Sequence, residues 1–159
     1  MKEFGSSYVI AYILYKADLD NHPINSTQAQ QLLYCCYGLV MAAFDERLTD
    51  EHPKAWPSGP VFLRTLSDIR HRRVKVSMAK QFIANCPVSW MQLINQTIER
   101  FWNYSGTALS NWSRRKSAPW DKADPLASLD DREIRLYFTP FIPLIAQTEE
   151  KSSSETETL

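Results

Sequence analysis

The chain has 159 residues, 44% hydrophobic and 23% charged, a length and balance that suit one globular domain able to bury a core without metal or disulfides. Eighteen basic residues offset 18 acidic ones, so net charge gives no domain-wide case for nucleic-acid binding. The odd cysteine count, with Cys35 and Cys36 adjacent on an apolar pattern and Cys86 apart, argues against a disulfide framework and reads as reduced, buried thiols.

The first residues show no apolar leader, and the run Tyr8 to Leu14 is too short to span a bilayer. The chain therefore reads as cytoplasmic. Ser6 or Ser7 is placed to cap a helix beginning near Tyr8, with Val9, Ile13 and Lys16 at helical spacing and Asn21-His22-Pro23 as its stop. Asn25 or Ser26 caps a second helix. Its stripe of Leu32, Cys36, Leu39, Val40 and Ala43, widened by Leu33, Tyr37 and Phe44, predicts a central position in the domain.

Asp45 to Lys54 is polar and acidic, a hairpin or an irregular loop. It leads into Ala55-Trp56-Pro57-Ser58-Gly59-Pro60. Gly59 permits backbone conformations that other residues resist, and Pro60 suits the first turn of a helix. Phe62, Leu66 and Ile69 then continue at helical spacing. The segment reads as a corner that sets the entry of a third helix, with Trp56 as its anchor. Such a corner serves either the fold alone or a partner.

Arg64, Arg70, Arg72, Arg73, Lys75 and Lys80 make a basic stretch opposed by Asp68. A solvated helix end is one account and phosphate contact another. Arg73 to Met78 alternates in strand fashion, with Arg47 to Ala55 as its candidate partner. Pro87 or Ser89 opens the clearest helix, marked by Trp90, Leu93, Ile94, Ile98, Phe101 and Trp102, with Gly106 as its end. Thr107 then caps a short helix carrying Leu109 and Trp112, closed by Arg114-Arg115-Lys116. Ser117 to Trp120 reads as a turn and Asp121 to Ser128 as a loop. Asp130 to Glu133 starts an acidic-headed helix through Ile134, Tyr137, Phe138 and Phe141, limited by Pro140 and Pro143.

The expected fold is mainly α, a single-domain bundle of about five to six helices with a minor short β element. The domain spans residues 1–147, and the Ser/Thr/Glu-rich residues 148–159 read as a disordered acidic tail. His22, His52 and His71 lack metal-ligand spacing, and neither a nucleophile elbow nor a phosphate loop occurs. The chain reads as a non-enzyme that calls for no cofactor or metal.

Four short motifs occur in order: Leu32-Leu33-Tyr34 with Gly38-Leu39; Ala55-Trp56 with Gly59-Pro60-Val61; Leu109-Ser110 with Pro119-Trp120 and Ala123; and Ile134 with Tyr137-Phe138. Together they resemble the Panacea domain family, which includes SocA-like antitoxins and phage-associated proteins. Gln30-Gln31 stands where family members often carry Lys. The resemblance implies a mostly helical antitoxin that neutralises a cognate toxin, encoded nearby, by direct protein–protein contact. In some SocA-like members it implies delivery of the toxin to a cellular protease. The expected partner contacts are Trp56, Pro57, Ser58, Phe62 and Arg64, with Trp120, in an interface burying roughly 1,200–2,000 Å². The alternative is a nucleic-acid-binding regulator using Arg70 to Lys80.

Overall fold

Helix α2 (Ser26–Phe44) is the axis of the molecule, and every side chain from Ala29 to Met41 is buried. The one-faced stripe of the sequence pattern is thus too narrow. A helix apolar all round belongs at the centre of a bundle, and only its two ends, Ser26 and Thr27 at the start and Ala43 and Phe44 at the finish, are exposed. Its start is fixed by a capping box in which Asn25 Oδ1 accepts from the Gln28 N–H at 2.8 Å and the Asn25 N–H donates to Gln28 Oε1 at 3.0 Å.

The computed structural model describes residues 3–145. Among them are eight α-helices and one two-stranded antiparallel sheet, so the fold is mainly α. Around α2 pack α1 (Ser6–Leu19), α5 (Val88–Phe101), α6 (Gly106–Ser113) and α8 (Asp131–Phe138). Helix α8 comes so close that a Cβ on Gly38 would lie 2.1 Å from the Phe138 ring, and glycine alone fits there. The short α7 (Pro119–Lys122) forms where the sequence pattern gives a turn and loop. The expected tail, residues 148–159, lies outside the described residues.

Gly5, rather than either serine, is the N-cap of α1. Ser6 and Ser7 lie buried in the first turn, where their hydroxyls donate to Glu51 Oε1 at 2.7 Å and Asp68 Oδ2 at 2.6 Å. The corner is a hairpin of β1 (Lys54–Trp56) and β2 (Gly59–Val61), with Ala55 opposite Pro60 and Trp56 opposite Gly59. Pro60 is therefore a strand residue, and α3 (Leu63–Arg70) begins only after Phe62.

The strand expected over Arg73 to Met78 is instead the approach to, and first turns of, α4 (Val76–Asn85). Ala79 and Phe82, three residues apart, are buried against α1, with the Phe82 ring 5.6 Å from Tyr12 and 4.9 Å from Phe4. That pairing needs helical spacing, and the proposed strand partner is already used in β1. Gly106 does not end α5, which stops at Phe101. It opens α6, against Thr27, and Ser105 rather than Thr107 caps that helix by accepting from the Ala108 N–H at 3.0 Å.

Cys35 and Cys36 are buried and unpaired, and burial pushes both thiols well above their ordinary range. The half-buried Cys86 thiol is pushed up to about 12 by the same cause. Among the described residues no helix is long and apolar enough to cross a membrane.

Candidate functional site

The hairpin tip projects Pro57 and Ser58 into solvent with Trp56 half-buried behind them. A two-residue turn of this kind would be loose on its own, because two three-residue strands supply few ladder bonds. Three side chains from distant elements hold it. The Trp120 indole N–H donates to the Trp56 carbonyl at 2.7 Å. Arg114 Nη1 donates to the Pro57 carbonyl at 3.3 Å, and the Ser110 hydroxyl donates to the Ser58 carbonyl. All three turn carbonyls are thus engaged from α6 and α7. Gly59 completes the turn at φ 127°, where a Cβ would also stand 3.0 Å from both Gln31 Nε2 and Ser113 Oγ.

Trp56, Pro57, Ser58 and Trp120 therefore come together, while the two other expected contacts do not join them. Phe62 is fully buried, its ring 5.8 Å from that of Tyr37. Its backbone is clamped by Gln30, which accepts from the Phe62 N–H at 3.0 Å and donates to its carbonyl at 3.2 Å. Phe62 thus serves the core, with no surface to offer a partner. Arg64 is exposed on the first turn of α3, but its guanidinium is engaged by the Asp50 carboxylate and, at 3.2 Å, by Ser6 Oγ.

Beside the hairpin lies a cleft of about 300 Å³ whose walls include Gln31, Trp56, Ser58, Val61, Ile69 and Arg70. Gln31 is 3% exposed, and its buried Oε1 has no hydrogen-bond partner among the described residues. Gln30, one residue earlier, bonds through both its amide oxygen and its amide nitrogen to Phe62. Sequence reading could not separate the two glutamines. Nor could it find Ser110 and Arg114, whose targets are backbone carbonyls more than fifty residues away.

A second polar group gathers around Asp131, at the start of α8. The Tyr37 hydroxyl donates to Oδ1 at 2.6 Å, Arg47 Nε donates to Oδ2 at 2.7 Å, and His52 Nε2 lies 3.4 Å from Oδ2. Burial, then the bond to Asp131, pushes the Tyr37 hydroxyl far above its ordinary range, so it stays protonated and donates. This arrangement ties α8 to α2 and to the loop that follows α2.

No family model, no curated protein and no solved structure matches the chain.

Proposed function

We propose that this chain is an antitoxin that neutralises a cognate protein toxin by binding it in the cytoplasm through the hairpin corner. The observation that carries this reading is a tip that is exposed yet immobilised, with each of the three carbonyls from Trp56 to Ser58 held by a separate side chain. A surface ordered before its partner arrives loses little conformational freedom on binding, so more of the contact energy becomes affinity. Half-buried Trp56 supplies the aromatic anchor typical of such contacts. The order of the motifs around Leu32-Leu33-Tyr34, Trp56, Gly59-Pro60-Val61 and Trp120, which resembles Panacea domains, supplies the antitoxin part of the reading.

Co-expression with the product of the neighbouring reading frame tests it, scoring growth and co-purification together. The expected result is growth arrest by the neighbour alone, relieved by this chain with a stable complex. Ser58→Arg, at an exposed position, should leave folding intact and lose both relief and complex. Relief accompanied by disappearance of the toxin, without a stable complex, identifies delivery to a protease instead of occlusion. A harmless neighbour that forms no complex overturns the antitoxin reading.

A further inference from the structure

The hairpin cleft has a neighbour. A second groove, of about 390 Å³, runs between α1 and the start of α4, with Leu14, Tyr15, Val74 and Val76 among its walls. Ile69 lines both. The two recesses therefore adjoin at Ile69, where α3 ends and the chain turns through His71 to Lys75.

The joint is strongly basic. Arg70 borders the hairpin cleft, and Arg72 and Lys75 line the second groove. All three are exposed, and among the described residues none of their side chains meets a carboxylate. Arg73 differs, pairing with Asp68 at 3.3 Å, and Asp18 is the acidic member of the second groove. Arg72 sits at φ 57°, in the position after a helix that glycine usually takes.

We propose that this double groove binds an extended acidic segment of a partner protein, apolar side chains entering the two recesses and carboxylates meeting Arg70, Arg72 and Lys75. This deepens the reading of the chain as a protein-binding antitoxin and rests on it for the partner's identity. A peptide fits better than a nucleic acid because the recesses are floored by Ile69, Leu14 and Val61, which a phosphodiester cannot fill. Trp56 and Tyr15 lie in different recesses rather than forming a stacking series.

The test uses the full chain and fluorescence anisotropy with three labelled probes: a peptide alternating leucine and glutamate, a leucine–lysine peptide of equal length, and a duplex DNA. The glutamate peptide should bind, weaken as salt rises, and lose about tenfold or more in affinity to the Arg70→Glu/Arg72→Glu variant. Both positions are exposed, so the variant should keep its circular dichroism and melting. Equal binding of both peptides, or binding indifferent to the charge reversal, overturns the proposal. Tighter binding of the duplex through these arginines overturns it in favour of nucleic acid. Growth rescue by a chain that ignores the glutamate peptide would sink this inference and leave the antitoxin reading standing. Peptide binding beside a harmless neighbour would do the reverse.

Discussion

The N-terminal end of α3 meets Asp50 and Glu51, and the fold uses both carboxylates. Glu51 accepts from the Arg64 N–H at 2.6 Å, the Thr65 N–H at 3.4 Å and the Ser6 hydroxyl at 2.7 Å. Asp50 accepts from the Ser6 N–H at 3.2 Å and from the Arg64 guanidinium. The acidic pair thus caps α1 and α3 together, where both helix dipoles favour negative charge. At the other end, the Arg72 N–H reaches the Ile69 carbonyl at 3.1 Å and the Arg73 N–H reaches that of Asp68 at 2.8 Å, closing the helix with Arg72 in the left-handed position. Both ends are charged runs in the sequence. One run is consumed in holding two helices; the other is tolerated against a backbone cost. That difference separates charges that build the molecule from charges that stay exposed on its surface.

The contrast breaks first at Glu51. Glu51→Ala leaves the Arg64 and Thr65 N–H groups and the buried Ser6 hydroxyl without their acceptor. Loss of a cap shared by two helices should cost about 2–3 kcal/mol. Urea denaturation of the variant measures it directly. A loss below about 0.5 kcal/mol, the range of an ordinary surface substitution, would mean that the acidic pair is as idle as the basic run.

Why the two ends could not be told apart from the sequence follows from how each is built. Periodicity reports what a segment buries on itself or on a face, so it finds α2, the Trp90–Ile94–Ile98 stripe of α5 and the acidic start of α8. It does not report bonds to distant backbone. Ser110, Arg114 and Trp120 act on carbonyls of the hairpin, and Glu51 acts on amides of α3, so none carries a local signature. Proximity along the chain misleads for a related reason. Phe62 and Arg64 follow the corner closely, yet one turns into the core and the other into the acidic pair. Alternation misleads at Arg73 to Met78, where Val74 and Val76 flank a helix start and the decisive apolar pair, Ala79 and Phe82, lies beyond the window. The corner of Trp56, Pro57 and Ser58 is legible because a large ring beside Gly and Pro is local information, whereas the reach of Trp120 to the Trp56 carbonyl is not.

The opposite change sharpens the contrast from the basic side. Arg72→Gly removes a left-handed penalty of about 1–2 kcal/mol and adds back part of it as unfolded-state freedom. The net should be a gain of about 0.5–1 kcal/mol in stability. The same variant should bind the leucine–glutamate peptide less well, so stability and binding move in opposite directions. A variant that is destabilised would place Arg72 among the residues that the fold consumes.

Arg73 provides the finest discrimination, because among the described residues it is the basic side chain at the C-terminal end of α3 that pairs with a carboxylate. The Asp68 carboxyl is held below its ordinary range first by the Ser7 hydroxyl and then by Arg73, at 2.6 Å and 3.3 Å. A depressed carboxyl stabilises the folded state above its unfolded value of about 4, and that contribution is lost as pH falls through the folded value. Arg73→Gln moves the folded value back toward the ordinary one. At neutral pH the variant should be less stable by no more than about 0.5 kcal/mol, as expected for a pair open to solvent. Its decline into acid should be shallower, and the two stability curves should meet once Asp68 is protonated in both. Ser7 still holds the carboxyl in the variant, so part of the acid slope must survive. A loss at neutral pH as large as that of Glu51→Ala, or curves that stay parallel into acid, would show that the C-terminal end of α3 is bound into the fold as tightly as the N-terminal end.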